Sequence, residues 1–503
     1  MASCNFPDIF SWIQNLPPIN QWQTSSISLC ICSSTSSQPS LKLSISKNNQ
    51  NPSLIFFSIF ADFNLPISLW TSKPFKSSSK STKLLDEETL LSLLVNFIED
   101  VLHYGSNNNN YNNNSYLLKF LRPESVSNLK DMFNISFLTL LFLICIYEAP
   151  ADLRSECLNT IKNHLANYCQ SRKSTKLLMK LLGSNLEEQW MRSLNLAITN
   201  WIVEVQASRR GVSLKTPSPL FSYSVSTFGL WKVQLYCPLI AMNVENSSNP
   251  SDERLGFSLN YHQLEGVIQF NYKVIPQQTW VGVLVNIDNI RCDVIKLVNE
   301  TLMSEQGVGV SEKHFPSRIS LQLTPIVQSN VLSVSVSKSS ENPVREIGSE
   351  KTIEAGFDPP NPYLGLKVSA GETTTMSLKP WKFEESVHGY SANLNWYLHD
   401  SVDGREVFSS KPSMMALTNP KAWFKHRYSS AYRPFTRQGG VVFAGDEYGE
   451  SALWKVDKAS LGRTMEWEIR GWIWLTYWPN KYRTRYTETR RLEFRETFSL
   501  KLA

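Results

Sequence analysis

The segment from 421 to 440, KAWFKHRYSSAYRPFTRQGG, places basic and aromatic side chains next to each other. Aromatic rings stack on nucleobases while cations hold the phosphates, and each stacked base contributes about 1–3 kcal/mol to binding. The same side chains suit an anionic lipid headgroup or an acidic partner segment. The candidate binding residues are Trp423, Lys425, Arg427, Tyr428, Tyr432, Arg433 and Arg437.

A structural interpretation of this segment competes with the binding one. Pro420, Pro434 and the pair Gly439–Gly440 indicate a long connection with turns. Long loops on β scaffolds often carry binding residues, and they also bury aromatic side chains beneath themselves. No ribonucleoprotein motif accompanies the segment. We therefore expect a structural or protein-contact loop first and a nucleic-acid or anionic-lipid site second.

Signals for catalysis are weak throughout the chain. The sequence lacks G-x-S-x-G, H-E-x-x-H, G-x-x-x-x-G-K-[ST], and G-x-G-x-x-G at a strand–helix junction. His388 and His399 lie near Asp400 and Asp403, as an acid/base group or metal loop requires, but DSVDGRE is typical of a turn. The eight cysteines contain no C-x-x-C pair. We predict no catalytic residue, no metal site and no cofactor.

The C-terminal region from 465 to 502 has the pattern of a β-hairpin rich in tryptophan and arginine. Pro479–Asn480 stands where a tight turn belongs. A two-residue loop there places Arg485 opposite Trp474 and Arg491 opposite Glu468. That register predicts a cation–π contact and an ion pair.

Two interpretations of this arginine-rich face remain open. The preferred one is a face neutralised by its own sheet, and the alternative is an open basic face for a ligand. Gly471, inside the first strand of the hairpin, marks a bulge or a close backbone approach. The stretch RGWIWLTYWPNKYRTRYTETRRLEFRE resembles uncharacterised land-plant proteins. The resemblance extends over the β-rich half and implies a plant source, without indicating an activity.

The pattern of strands and helices along the chain predicts a multidomain α+β protein. The chain has 503 residues, which is too long for one hydrophobic core. Of these residues, 42% are hydrophobic and 19% are charged. We predict an N-terminal β-meander with a polar linker (1–83), a helical bundle (84–210), a first β-rich unit (211–340) and a second one with the C-terminal hairpin (341–503). The β-rich units are expected to be antiparallel and sandwich-like.

Helix signals are clearest in the second of these regions. Asp86 begins one helix and Gly105 follows its end. Two further helices are predicted over 174–182 and from Asn185 onward. The run 133–147, FNISFLTLLFLICIY, is shorter than the roughly 20 residues that a membrane span needs. We prefer a buried core helix there, with membrane insertion as the alternative.

The overall balance of charge limits the possible functions. A net charge of +6 is mild for this length and excludes wholesale coating of nucleic acid. We expect a non-enzymatic adaptor or protein-interaction protein that uses loops on a β scaffold and binds a protein partner. The alternatives are a binder of nucleic acid or anionic lipid through 421–437, and an enzyme or carbohydrate binder with an unrecognised site.

The expected compartment follows from the N-terminal residues. The start, MASCNFPDIFSWIQ, lacks the basic segment of a secretory signal, so we expect a cytoplasmic or nuclear protein. The first hundred residues are rich in serine, which leaves a plastid as one alternative, although they contain no arginine. The run 133–147 leaves a membrane-associated location as another.

Overall fold

A computed structural model of the chain provides the structure. The residues that it describes are 7–33, 40–51, 53–62, 65–77, 83–105, 126–151, 153–154, 157–158, 160–161, 163–165, 173–208, 221–247, 253–306, 313–337, 345–353, 370–378, 381–398, 441–444, 449–477 and 486–502.

The N-terminal strands form an antiparallel sheet, sheet A, in which β1 to β4 neighbour each other in chain order and β5 pairs with β3. Along β3, buried side chains alternate with half-buried ones, so one face of the sheet belongs to the core. The strands are β1 (Ser26–Ser33), β2 (Ser40–Lys47), β3 (Leu54–Asp62), β4 (Ile67–Thr71) and β5 (Phe75–Lys76).

The helical part of the protein contacts sheet A. Its helices are α1 (Ile9–Gln14), α2 (Glu87–His103), α3 (Val126–Tyr147) and α4 (Lys173–Ser208). Helix α2 packs on sheet A, and further helices pack around α2 and α3. The ring of Phe97 in α2 lies 5.8 Å from that of Trp70 in sheet A and 5.1 Å from that of Phe133 in α3. The α4 segment breaks at Gly183, whose φ of 71° is outside the helical region. Glycine tolerates this conformation without a steric penalty.

The apolar run 133–147 lies in α3. The window Asn128–Tyr147 has a mean hydropathy of 1.8 and is long and apolar enough to cross a membrane by length and composition, yet 89% of it is buried inside the protein. Its polar residue Asn134 accepts a hydrogen bond from the backbone N–H of Phe10 (3.1 Å) and donates one to Asp8 (3.0 Å). Membrane insertion of this run stays an untested alternative.

Two larger antiparallel sheets follow, and the predicted α+β class with mostly antiparallel sheets is confirmed. Sheet B has the order β12-β18-β10-β9-β7-β6, with β17 beside β10, and sheet C has the order β15-β16-β11-β19-β20-β8. β13 and β14 pair only with each other among the described strands. The strands are β6 (Phe221–Thr227), β7 (Leu230–Pro238), β8 (Asn243–Ser247), β9 (His262–Pro276), β10 (Trp280–Lys296), β11 (Phe315–Pro325), β12 (Val331–Ser337), β13 (Arg345–Ile353), β14 (Ala370–Leu378), β15 (Trp381–His388), β16 (Ser391–Leu398), β17 (Val441–Ala444), β18 (Ser451–Asp457), β19 (Thr464–Tyr477) and β20 (Glu488–Lys501). Two short helices lie among them, α5 (Glu253–Asn260) and α6 (Glu300–Gln306).

Strands from both sides of residue 340 share each large sheet. In sheet B, β12 lies beside β18, and in sheet C, β11 lies between β16 and β19. The strand pairing shows that the two β-rich segments contribute strands to the same two sheets. The predicted domain boundaries stay predictions.

Tryptophan rings connect sheet B with sheet C. The Trp467 ring of β19 lies 5.9 Å from that of Trp231 in β7 and 6.2 Å from that of Trp454 in β18. All three side chains are fully buried. We call this tryptophan-lined side of sheet C its inner face and the opposite side its outer face.

Helix α4 contacts the other side of sheet B through a buried polar group. The hydroxyls of Tyr223 and Tyr236 donate to the same carboxylate oxygen of Glu187, at 2.5 and 2.9 Å. Burial raises the pKa of Glu187, while the two tyrosine hydrogen bonds oppose that shift. The group therefore fixes the helical part against the β part.

The C-terminal hairpin forms, but its predicted register was wrong. Arg491, not Arg485, lies opposite Trp474, and Thr497 lies opposite Glu468. The strands end at Tyr477 and begin again at Glu488, so the connection is longer than two residues.

The physical reason for this register is the burial of the inner face. Pairing places Leu492 opposite Ile473 and Phe498 opposite Trp467, so that large apolar side chains meet inside the core. In a sheet with one buried face, this pattern determines the register. The predicted turn at Pro479–Asn480 lies outside the described residues.

Candidate binding surface

The segment that the sequence singled out lies outside the described residues. This holds for Trp423, Lys425, Arg427, Tyr428, Tyr432, Arg433 and Arg437, and equally for His399, Asp400 and Asp403. Within the described ranges, no group of three or more histidine, cysteine, aspartate or glutamate side chains is arranged to hold a metal ion. The predictions for 421–437 therefore stay predictions.

The outer face of sheet C carries an arrangement that sequence analysis missed. Strand pairing aligns five side chains across β15, β16, β11, β19 and β20, in which cations and aromatic rings alternate. We call this set the cation–aromatic row, and its members in order are Lys382, Tyr397, Arg318, Trp474 and Arg491.

Arg318 is the centre of the row. Its guanidinium carbon lies 4.7 Å from the ring centroid of Tyr397 and 4.3 Å from that of Trp474. A cation–π contact contributes about 0.5–1 kcal/mol at an exposed site and more when it is desolvated. Because the two rings flank one guanidinium, they hold it in place before any ligand arrives.

A carboxylate from the edge strand β8 occupies one end of the row. Glu245 accepts a hydrogen bond from the indole N–H of Trp474 (2.8 Å) and pairs with Arg491 through its other oxygen (2.8 Å). In β8, Val244 and Asn246 pair with adjacent residues of β20, so Glu245 is the extra residue of a β-bulge. Bulges redirect a side chain, and this one directs a carboxylate onto the row.

Other basic side chains on the outer face also have acidic neighbours. Arg470 pairs with Glu493 at 2.7 Å, and Arg495 pairs with Glu468. Lys382 pairs with Glu384 at 2.7 Å, although about half of each side chain is exposed. For the described arginines of the hairpin, the interpretation of a face neutralised by its own sheet is confirmed, with partners other than the predicted ones.

Trp474 of the row is 6% exposed, and the outer face becomes accessible along β20 away from the row. Along β20, Arg491 and Glu493 are half-buried, while Arg495, Thr497 and Ser499 are exposed. The described elements that pack most closely on sheet C are strands of sheet B, which lie on its inner face or along its edges.

A buried ionic cluster fixes β20 where β8 pairs with it. Arg490 binds the Glu488 carboxylate, donates to the Leu239 carbonyl (2.8 Å) and donates to Asn260 at the end of α5 (3.1 Å). Burial opposes ionisation of Glu488, but Arg490, the nearby His314 and a hydrogen bond from Tyr486 outweigh it and hold the pKa of Glu488 well below its usual range. Because the charged and polar groups of this cluster bind one another, we assign the cluster a structural role.

Comparisons with known proteins give little guidance. No protein-family model matches the sequence, and no curated protein matches it. Among solved structures, the chain is similar to Clostridium perfringens delta-toxin (TM-score 0.21, 9% identity, covering 56% of this chain and 96% of the toxin). It is also similar to the Clostridium perfringens NetB toxin in its membrane-inserted form (TM-score 0.19, 7% identity, 55% and 92%). Both scores are below 0.5 and carry no argument about fold or function.

Proposed function

We propose that the protein is a non-enzymatic adaptor that binds a protein partner through the outer face of sheet C. The observation that carries the proposal is the guanidinium of Arg318 held between the rings of Tyr397 and Trp474. Tryptophan, tyrosine and arginine are the residue types that most often dominate the binding energy of protein interfaces.

The charge balance of this face supports a protein partner over a polyanion. Binding of nucleic acid gains free energy when cations replace the condensed counterions of the phosphates. Here Arg470, Arg491 and Arg495 already bind carboxylates of the same protein. A surface that mixes paired charges with aromatic rings is typical of protein interfaces.

The scaffold supports the proposal as well. We infer that sheets B and C form a sandwich-like unit, since Trp467 contacts both Trp231 and Trp454 across the two sheets. A side chain that projects from such a unit is placed by strand register, so the outer face loses little conformational entropy on binding.

The proposal is tested by affinity capture from cell extract with wild type, Arg318→Gln and Lys455→Gln. Lys455 is the matched control, because its ammonium lies 5.1 Å from the Trp280 ring and makes the same kind of contact on sheet B. Protein, RNA and lipid are quantified together. We expect a defined protein with wild type and Lys455→Gln, and its loss with Arg318→Gln.

Two results contradict the proposal. One is that RNA or lipid, instead of a protein, depends on Arg318. The other is that all three forms capture the same protein in equal amounts, which places the contact elsewhere.

A further inference from the structure

We propose that one end of the β part docks on an anionic lipid bilayer, with apolar loop tips among the lipids and cations at the level of the phosphates. We call it the loop end, and it consists of the connections 228–229, 277–279, 326–330 and 458–463 together with the strand ends beside them. The loop end is distinct from the outer face of sheet C, so the inference goes beyond the proposed function.

Strand pairing and hydrogen bonds bring the four connections together. The ammonium of Lys458 donates to the Gln278 carbonyl at 2.8 Å. The backbone N–H of Asp457 donates to the Asn330 carbonyl, also at 2.8 Å. The turn between β6 and β7 lies beside β9, whose backbone donates a hydrogen bond to the Gly229 carbonyl (3.0 Å). The six neighbouring strands of sheet B stand about 4.8 Å apart, which makes this end roughly 24 Å wide.

Exposed apolar side chains are concentrated at the loop end. Of the ten large hydrophobic side chains that are exposed among the described residues, five stand on these connections or within two residues of them. They are Phe228, Ile326, Val327, Leu332 and Leu461. Connections between strands ordinarily consist of polar residues, glycine and proline. Grouped apolar side chains on a surface mark a site that meets a membrane or another protein.

Backbone hydrogen bonds fix the tips in this arrangement. The N–H of Ile326 donates to the Glu466 carbonyl (2.9 Å), and the N–H of Leu461 donates to the Lys458 carbonyl (3.0 Å). The apolar side chains are therefore held in place before binding, so the loops lose little conformational entropy when they dock.

The loop end is positively charged. Its exposed cations are Lys273, Lys455, Lys458, Arg463 and Lys501. Within the part of the chain that the structure describes, none of these five forms a salt bridge with a carboxylate. Each lysine or arginine close to an anionic membrane increases the affinity by about fivefold.

Two carboxylates stand among these cations, and both accept hydrogen bonds from this protein. Asp457 accepts the backbone N–H of Ala459 (2.9 Å), and Glu466 accepts the hydroxyl of Ser499 (3.2 Å). The arginines on the outer face of sheet C, in contrast, pair with carboxylates. The excess of positive charge is therefore a property of the loop end.

Trp280 stands just behind the tips, as an interfacial tryptophan does. Its half-buried ring lies against Gly282, where an added Cβ would meet it at 2.8 Å, and 5.1 Å from the Lys455 ammonium. Tryptophan collects at membrane interfaces because it combines a large apolar ring with a polar N–H. Trp280 and Lys455 are within three residues of the tips, or about 10 Å along a strand. They meet the headgroups when the tips enter the bilayer by about 5–10 Å.

This arrangement favours a bilayer over a protein partner. The apolar tips project from separate connections, and a fluid bilayer accommodates each of them without a matching surface. A protein interface instead needs a closely packed core with complementary shape. The cations around the tips match the negative potential of a membrane that contains anionic lipids.

The test measures flotation of the full-length protein with vesicles of phosphatidylcholine alone or of phosphatidylcholine mixed with phosphatidylserine. We expect binding to the mixed vesicles to be about tenfold tighter, because the cations contribute only there. Added salt should weaken that binding.

Paired variants connect the binding to the loop end. Phe228→Ser combined with Leu461→Ser should weaken binding to the mixed vesicles about tenfold, since two apolar side chains no longer leave water. Leu65→Ser is the matched control, because Leu65 is exposed on sheet A.

A second pair of variants tests the charge. Lys458→Gln combined with Arg463→Gln should also weaken binding to the mixed vesicles about tenfold. Lys76→Gln, at an exposed position of sheet A, should bind as the wild type does. Arg318→Gln should also bind vesicles as the wild type does, which separates this inference from the proposed function.

Insertion itself is measured with an environment-sensitive fluorescent amino acid at position 461 or at position 65. Both positions are exposed, so the result does not depend on the serine variants. We expect a blue shift of the emission on mixing with phosphatidylserine-containing vesicles at position 461 and none at position 65.

The inference is overturned if the protein binds neither kind of vesicle, or binds both equally well. It is equally overturned if the loop-end variants bind as the wild type does, or if position 461 shows no shift. A protein partner that is lost with Phe228→Ser and Leu461→Ser, without any binding of vesicles, would replace the bilayer as the occupant and refute the inference.

Discussion

We expect the buried His262 to make the folded protein sensitive to acid. It begins β9, is 1% exposed and lies opposite Lys296 in the register of β9 and β10. Burial first, and then the neighbouring His314, lower the pKa of His262 to about 3, with smaller contributions from Lys296 and Lys313. The nearby backbone of Ser258 acts in the opposite direction.

The sign of the effect follows from the protons bound in each state. In the unfolded chain a histidine titrates near 6.5, so between about pH 3 and 6.5 the unfolded state binds more protons than the folded one. Stability therefore rises with pH through this window and is lost as the pH falls. From pH 7 to pH 5, the linkage relation gives a loss of about 2 kcal/mol in the free energy of unfolding from this side chain.

The assay is urea-induced unfolding at pH 7, 6 and 5 for wild type and His262→Gln. Because the variant has no titrating group at this position, the wild type should lose about 2 kcal/mol more than the variant between pH 7 and pH 5. His388→Gln, at an exposed position, serves as the control and should follow the wild type. If the free energy of unfolding changed equally with pH in wild type and in His262→Gln, the reasoning would be refuted, whatever the absolute stability of the variant.

Three further predictions concern packing and the buried polar groups. A Cβ atom at Gly471 would lie 2.0 Å from the ring of the residue opposite, so Gly471→Ala should cost about 1–3 kcal/mol or more in urea unfolding. Gly256→Ala, with open space inside α5, should instead be neutral or stabilise by up to ~1 kcal/mol. Asn134→Ala should cost about 1–3 kcal/mol in thermal unfolding, because the hydrogen bonds between α1 and α3 are lost. Arg490→Met leaves the buried Glu488 carboxylate without its cation and should cost about 3–5 kcal/mol in thermal unfolding. Equal stability of this variant and the wild type would contradict a stabilising role of the ionic cluster.

Local signals predicted those parts of the fold that depend on neighbouring residues. Asp86 is the N-cap of α2 and accepts a hydrogen bond from the N–H of Thr89 at 2.8 Å. The break at Gly183 falls between the helices predicted over 174–182 and from Asn185. The close approach predicted as one explanation of Gly471 is confirmed, with the Phe494 ring filling the space of the missing side chain.

The candidate binding surface could not be predicted from the sequence. Members of the cation–aromatic row come from strands that are far apart in the chain, and β11 enters the sheet between β16 and β19. Only the burial of apolar side chains across the whole sheet sets that order and its register. The sequence singled out Trp474 and Arg491 as residues of the predicted hairpin, and it contained no signal for Arg318 or Glu245.

Position-resolved crosslinking tests the central claim most directly. A photoreactive amino acid is placed at Asn395, on the outer face of sheet C beside the row, or at Asn271, exposed on sheet B. After illumination in cell extract, crosslinked proteins are identified by mass spectrometry. The account predicts a defined protein crosslinked from position 395 and not from position 271, and loss of that crosslink in Arg318→Gln. Crosslinks from both positions in equal amounts, or from position 271 alone, would contradict it.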